Sequence, residues 1–259
     1  MTLPAQLDRS TPALPPLKVD WHYHYAFRNL ALQLIEQGAE LPKYVLAPEI
    51  SLLLDYCPHD HARMLFRLLF SSGGRITEVL TATRADYAKG LDGRGMISLV
   101  NLKRRGKGRP RKGEKERTRV VPLLDPQLCN EFERYLVTHC PNKRYPIFGS
   151  KKNRSKPITA QTARNWLAET VERAARDGIT LPDMTVHTFR HSYAVNLLIH
   201  GVKRDQLQLW MGHSDPESTL VYTRLLSIDS GFAQPEISFS VAPADNPLLA
   251  IPTRHRLSE

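Results

Sequence analysis

Hydrophobic residues recur at helical spacing along most of the chain and predict a mainly α-helical fold. An irregular, proline-dotted arm over residues 1–20 precedes a helix over 21–37, which Gly38 stops. Two amphipathic segments follow, ISLLLDYC and HARMLFRLLF. The second ends at SSGG, where the glycines permit a tight reversal before Arg75 opens another helix. Further helices of the same kind are predicted over 126–139, 159–176, 186–200, 203–211 and 216–226.

Two apolar, β-branched runs, MISLVNL and RVVPLL, interrupt this helical pattern. They flank a long polar segment, so they predict the strands of an antiparallel hairpin whose tip projects into solvent. The tail from Ser227 is rich in Pro and Ala and contains ISFSV as one short candidate strand. The whole pattern predicts an α+β chain that is mainly α, with a small antiparallel β-sheet or hairpin.

Charge is spread unevenly over the 259 residues, and its distribution points to nucleic acid. The formal net charge is +10, and residues 103–119 alone carry ten basic side chains against two acidic ones. Such a concentration is typical of proteins that bind the phosphate backbone, because each neutralised phosphate releases counterions. A solvated basic loop is the alternative. The candidate DNA-backbone contacts are Arg104, Arg105, Lys107, Arg109, Arg111 and Lys112.

Composition argues against several other classes of protein. No apolar run approaches the ~18 residues of a membrane span, and the start MTLPAQL lacks the regions of a signal peptide, so we expect a cytoplasmic protein. Three widely spaced cysteines form no C-x-x-C pair, which argues against a disulfide framework and for reduced thiols. Two His-x-His pairs, at 22/24 and 59/61, lack further ligands, so neither a metal nor a cofactor is predicted.

Polar side chains near two predicted helix starts are candidates for chemistry. His187 and Arg190 are three residues apart in VHTFRHSYA, so they share one helix face, and Thr185 is a suitable N-cap. Arg75 and Glu78 have the spacing of a helical ion pair. Taken alone, each of these pairs has an ordinary structural explanation.

A histidine and a tyrosine nearer the C-terminus complete the set. His213 lies just after a helix, twenty-three residues beyond Arg190, and Tyr222 follows nine residues later. Asp215 as N-cap and Pro216 in the first turn predict the helix that carries this tyrosine. A tyrosine in such a helix is usually a packing residue, so only its combination with the other residues indicates chemistry.

In this order and at these separations, the residues resemble those of the tyrosine recombinase (phage integrase) family. SSGGRITEVLTAT is similar to the family's segment around its first catalytic arginine, and HTFRHSYAVNLLIHGV to its His-x-x-Arg helix. LQLWMGHSDPESTLVYTRL is similar to the segment with its second histidine and its nucleophile. The resemblance covers residues 46–226 and implies the tyrosine recombinase catalytic fold. The compact size further resembles plasmid or mobile-element resolvases, of the protein D type of F-like plasmids.

The resemblance implies that Tyr222 cuts a DNA strand and forms a 3′-phosphotyrosyl bond. A phenol of pKa about 10 needs nearby cations and a base, for which His187 is the first candidate. Glu78 supports the site, and a hairpin lysine protonates the leaving 5′ oxygen; Lys103 is the best match and Lys107 the alternative. The implied catalytic set is Arg75, Lys103, His187, Arg190, His213 and Tyr222.

The division of the chain follows from the same resemblance. Most members of the family place a helical core-binding domain before the catalytic one, whereas about 45 residues precede the match here. We therefore expect a short arm and helix over 1–45, a catalytic domain over 46–226 and a tail over 227–259. Several relatives donate this tail to a neighbouring protomer, for which ISFSV and NPLLAIP are suited; an unstructured tail is the alternative.

The implied partner is double-stranded DNA, bound by a homotetramer on paired sites with possible accessory DNA-binding proteins. Neither a metal-binding carboxylate pair nor a G-x-x-x-x-G-K-[ST] loop is present, so no magnesium or ATP is expected. Two other functions fit the same residues. One is DNA relaxation by a type IB topoisomerase, and the other is a DNA-binding regulator that has lost catalysis, against which the filled catalytic positions argue.

Overall fold

Helices make up most of the described part of the chain, which comprises residues 19–90, 94–100, 118–213 and 217–227 of a computed structural model. The α-helices are α1 (Trp21–Glu36), α2 (Ala47–Asp55), α3 (Asp60–Ser72), α4 (Ile76–Thr81), α5 (Pro126–His139), α6 (Ala160–Arg176), α7 (Thr188–Ile199), α8 (Arg204–Met211) and α9 (Glu217–Ser227). A short 3-10 helix (Arg84–Asp86) leads into the strands β1 (Tyr87–Lys89), β2 (Gly95–Val100) and β3 (Thr118–Leu123).

The helices begin where side chains can satisfy their first amide groups. Asp20 accepts a hydrogen bond from the Tyr23 amide at 3.2 Å at the start of α1, and Asp125 accepts one from Gln127 at 2.9 Å at the start of α5. The predicted cap at Thr185 is wrong, because α7 begins at Thr188. The two threonines instead bond to each other, since the Thr185 amide donates to Oγ1 of Thr188 at 3.0 Å.

The sheet is antiparallel and has the order β1-β2-β3. Ile97 stands opposite Val121 of β3 and Tyr87 of β1, so β2 is the central strand. Alternate residues of β2 and β3 are buried, while Val120 on the opposite face is 53% exposed. The two strands that flank the basic segment are thus where the pattern predicts them. The third strand, β1, was not predicted.

Helix α3 lies at the centre of the core, where it packs against α7 and the sheet. Its Phe66 ring stacks on Phe189 of α7 with centroids 5.3 Å apart, and both side chains are fully buried. Phe27 of α1 also belongs to this core. A buried ion pair between Arg28 and Glu49 joins α1 to α2. The division at residues 45 and 226 stays a prediction.

The histidines of the second His-x-His pair and the three cysteines, which were considered above as metal ligands or disulfide partners, have local structural roles. His59 caps α3 by accepting from the Ala62 amide at 3.1 Å, and Nδ1 of His61 lies 2.6 Å from the Tyr135 hydroxyl. The three cysteines are free thiols. In the described ranges, no group of three or more His, Cys, Asp or Glu residues is arranged to hold a metal. Nor is any helix in these ranges long and apolar enough to span a membrane.

Gly73 closes α3 in the left-handed conformation, with φ +57°. A Cβ at this position would lie 2.2 Å from Cδ1 of Tyr193, so Gly73→Ala combines a cost of ~1–2 kcal/mol for the conformation with ~1–3 kcal/mol for overpacking. Gly178→Ala is the matched control, because Gly178 has φ +80° but no atom within 4 Å of the added carbon. We expect urea unfolding to show a larger loss for Gly73→Ala; equal losses would contradict the packing argument.

Candidate active site

The corner between α3 and α4 carries the first candidate arginine. Arg75 is the N-cap residue of α4, and its amide donates to Oε2 of Glu78 at 2.9 Å. Nη1 of the same arginine donates to Oε1 of Glu78 at 2.7 Å. The Glu78 side chain is fully buried, and that of Arg75 is partly buried. The predicted ion pair is therefore present, and it fixes the direction of the Arg75 guanidinium.

Arg190 lies in the first turn of α7 and is only 2% exposed. Its Nη1 donates to the carbonyl of Gly73, next to the α3–α4 corner. Its Nη2 donates at 2.7 Å to the carbonyl of Met211, at the end of α8. One planar guanidinium thus ties together the two segments that carry Arg75 and His213.

Positive charge is concentrated around Arg190. Burial, followed by the charges of Arg75 and Arg119, lowers the pKa of the Arg190 guanidinium to about 10. Glu78 and Tyr222 act on this pKa in the opposite direction. The two predicted arginines and the predicted nucleophile therefore lie close enough for their charges to interact.

Tyr222 lies on α9 and is 2% exposed, with its hydroxyl 2.8 Å from Nδ1 of His191. Burial raises the pKa of Tyr222 to about 12, although Arg190 and Arg75 both lower it. Burial, followed by the charges of His187 and Arg190, lowers the pKa of His191 to about 4. The imidazole is therefore neutral at pH 7 and can accept a hydrogen bond from the phenol, although so low a pKa makes it a weak base while the pair is buried.

The two predicted histidines contact different parts of this site. His187 stands at the N-cap position of α7, and its ring packs edge-on against His191 with centroids 4.6 Å apart. Nδ1 of His213 lies 2.8 Å from the hydroxyl of Thr219, a fully buried residue of α9. His213 thus joins the end of α8 to the helix that carries Tyr222.

Glu78 receives a second arginine, from β3. Nη2 of Arg119 donates to Oε2 of Glu78 at 2.6 Å. Burial raises the pKa of Glu78, but hydrogen bonds and charge from Arg119 and Arg75 outweigh it, so the pKa lies below its ordinary value. Two guanidinium groups contact this one ionised carboxylate in the described part of the site, and the charge of a third, Arg190, interacts with it. The excess positive charge suits an anion such as a phosphodiester.

Five of the six predicted catalytic residues therefore come together, from chain positions 75 to 222. The sixth, Lys103, its alternative Lys107 and the DNA-backbone candidates over 104–112 lie outside the described residues, as does ISFSV. Sequence reasoning missed His191 and Arg119. A signal existed for the second, because Arg119 shares its strand face with the apolar Val121 and Leu123.

Comparison with known proteins identifies a family that matches nearly the same residues as the resemblance over 46–226. The sequence profile of the Phage integrase family matches residues 43–227. A resolvase of Escherichia coli (strain K12) is 34% identical over 253 residues, which cover 94% of this chain and 92% of the relative. A probable site-specific recombinase in the afa region of Escherichia coli is 39% identical over 191 residues, or 73% of this chain and 72% of that protein.

Solved structures with the same fold include site-specific recombinases. XerA recombinase superposes with a TM-score of 0.57 at 18% identity, covering 77% of this chain and 66% of that one. XerH bound to its difH substrate superposes with a TM-score of 0.54 at 17% identity, covering 75% of this chain and 54% of that one. The chain thus spans about half of the XerH chain. The predicted α+β catalytic fold is confirmed.

Proposed function

The chain belongs to the phage integrase family of tyrosine recombinases, and from this premise we propose that it carries out site-specific recombination with Tyr222 as nucleophile. The observation that supports this assignment is the position of the Tyr222 hydroxyl, 2.8 Å from a neutral histidine and within the field of Arg75 and Arg190. A buried phenol that only packs has no need of such neighbours. Arginines beside it supply the charge that a phosphodiester requires.

The arginines stabilise the transition state. Attack on a phosphodiester adds negative charge to the nonbridging oxygens, and planar guanidinium groups match these oxygens with paired donors. By analogy with an oxyanion-hole donor, Arg75 and Arg190 each contribute about 3 kcal/mol of the roughly 8–23 kcal/mol that enzymes supply. His213 adds a hydrogen bond to the same phosphate.

The proton of Tyr222 passes to an imidazole as the phenolic oxygen attacks phosphorus. We assign this role to His191, whose Nδ1 already contacts the hydroxyl, once the site opens and burial no longer lowers the pKa of this imidazole; His187 is the alternative that the sequence predicts. Because Tyr222 is covered by protein, its hydroxyl must be uncovered before it meets a phosphate. We therefore infer that binding of DNA or assembly shifts α9 relative to α7.

The reaction exchanges one phosphate ester for another. The bond from Tyr222 to phosphorus forms, the bond from phosphorus to the 5′ oxygen breaks, and Lys103, or Lys107 as the alternative, protonates the leaving oxygen. A 5′ hydroxyl of a partner strand then attacks the 3′-phosphotyrosyl bond and releases the enzyme. Since the bond energy is retained at each step, neither ATP nor another cofactor is required.

Double-stranded DNA is the proposed substrate, and XerH, of similar fold, is described as a site-specific recombinase bound to difH substrate. Recombination of two duplexes requires four active sites, so we propose a homotetramer on paired sites, with accessory DNA-binding proteins setting its direction. The resemblance to proteins named resolvase favours resolution of plasmids or mobile elements. A cytoplasmic location follows from the DNA substrate.

A nicked suicide substrate tests the proposal, because loss of the short 5′ fragment traps the covalent intermediate. We expect an SDS-resistant protein–DNA complex whose linkage maps to Tyr222. A chain that binds DNA but forms no complex is the catalytically inactive regulator. A plasmid with two target sites distinguishes the topoisomerase, which relaxes DNA as a monomer but yields no recombinant product.

The basic segment provides a further prediction. Deleting residues 104–116 should reduce the salt dependence of DNA binding, because each phosphate contact contributes about 0.9 to the slope of log K against log salt. If the six candidate residues each contact one phosphate, the slope falls by about 5. Arg173→Gln with Arg176→Gln removes exposed charges from α6 as a control. An unchanged slope in the deletion variant refutes the role of the segment.

A further inference from the structure

Arg119 has an unusual position for a member of the basic run over residues 103–119, because it is buried. Its side chain is 8% exposed and lies on the face of β3 that also carries Val121 and Leu123. We propose that Arg119 is a positioning residue for DNA cleavage, which holds Glu78 and the end of α8 so that Arg75 and His213 address one phosphate. This inference rests on the proposed recombinase function.

The first contact of Arg119 determines how Arg75 meets Glu78. Arg119 donates to Oε2 of the carboxylate at 2.6 Å, and the Arg75 amide donates to the same oxygen at 2.9 Å. The Arg75 side chain reaches the other oxygen, Oε1, through Nη1. Without Arg119, Oε2 loses its guanidinium partner, and Arg75 can turn to bind both oxygens as a bidentate pair. Its donors would then face the carboxylate instead of the phosphate.

The second contact fixes the turn that leads to His213. Nε of Arg119 donates to the Trp210 carbonyl at 2.8 Å, one residue before the Met211 carbonyl that Arg190 binds. The chain then turns at Gly212, where an added Cβ would lie 2.8 Å from Cδ of Arg119. Two arginines thus hold consecutive carbonyls at the end of α8, and Gly212 alone separates these residues from His213.

A role limited to stability does not explain this arrangement. Nη1 of Arg119 is buried and has no hydrogen-bond partner among the described residues, so these residues do not fully satisfy the side chain. Buried ion pairs are in general weak sources of stability. The contacts of Arg119 instead lead to the residues on either side of the proposed phosphate, and the strand that carries it continues from the segment with Lys103 and Lys107.

Single-turnover cleavage of the suicide substrate at saturating protein tests the proposal. We expect Arg119→Met to slow formation of the covalent complex about 100-fold, as for loss of one oxyanion donor, with DNA affinity within about threefold of wild type. Arg119→Lys is the second variant if the methionine variant does not fold. Arg28→Met is the matched control, because Arg28 is also a buried arginine paired with a buried glutamate, and its Nε has no hydrogen-bond partner within the described ranges.

A double-mutant cycle separates positioning from a merely structural effect. If Arg119 acts through Arg75, the rate loss in Arg119→Lys/Arg75→Lys is smaller than the product of the two single losses. If the two rate losses multiply independently, or if Arg119→Met cleaves within threefold of the rate of Arg28→Met, the positioning role is wrong. The proposed function still stands in that case, provided that the wild-type chain forms the covalent complex. A wild-type chain that forms no covalent complex overturns both.

Discussion

Replacing Tyr222 by phenylalanine is expected to abolish the covalent protein–DNA complex. The substitution removes one oxygen atom, the proposed nucleophile, and leaves the ring in its buried position on α9. DNA affinity should stay within a few-fold of wild type, because no charge changes. Loss of the hydrogen bond to His191 should cost about 1 kcal/mol of unfolding free energy. The measurement is SDS-resistant complex on the suicide substrate, beside a binding isotherm.

Tyr193→Phe is the matched control. Tyr193 is another buried tyrosine, on α7, and its hydroxyl has no hydrogen-bond partner in the described part of the chain. Its removal should therefore leave the rate of complex formation unchanged. A covalent complex that persists in Tyr222→Phe and maps to a different tyrosine would show that the nucleophile is misassigned.

The helices were predictable because each combines an apolar period with a chemical start or stop. Asp20 begins α1, and Gly73, with its left-handed backbone, ends α3. The strand β1 was not predictable, since its three residues, Tyr87–Lys89, have no apolar alternation. This strand exists because its backbone pairs with β2, and a tertiary contact of that kind leaves no pattern in a local window.

The contacts within the candidate site were also not predictable from local sequence. Spacing and resemblance indicated which residues meet, but not which atoms they use. His191 is adjacent in sequence to the predicted Arg190, yet its contact with Tyr222 joins two helices and depends on how α9 packs. The alternation of β3 places Arg119 on the same strand face as buried apolar residues, which was a visible signal. Its acceptor Glu78, however, lies forty-one residues earlier, on α4. Long-range hydrogen bonds of buried charges therefore required the structure.

Arg190→Lys is expected to reduce the single-turnover cleavage rate by about 10²–10³-fold. Lysine keeps the charge, but its ammonium is a point donor and cannot reproduce a planar fork. In the fold, that fork binds the carbonyls of Gly73 and Met211. One of these carbonyls would lose its partner, so urea unfolding should also show a loss of about 1–3 kcal/mol. The planar Arg190 guanidinium therefore has two proposed roles: it holds the site together, and it binds the phosphate.

Two observations separate these contributions. Arg173→Lys is the matched control, because Arg173 forms an exposed pair with Glu169 on α6, and its rate and stability should equal those of wild type. If Arg190 acts on the phosphate, the rate defect of Arg190→Lys persists at a temperature and protein concentration where the variant is fully folded and all DNA is bound. A variant that cleaves within threefold of wild type under those conditions would reduce Arg190 to a structural tie between α7 and α8, and the charge around Tyr222 would then have to come from Arg75 and Arg119.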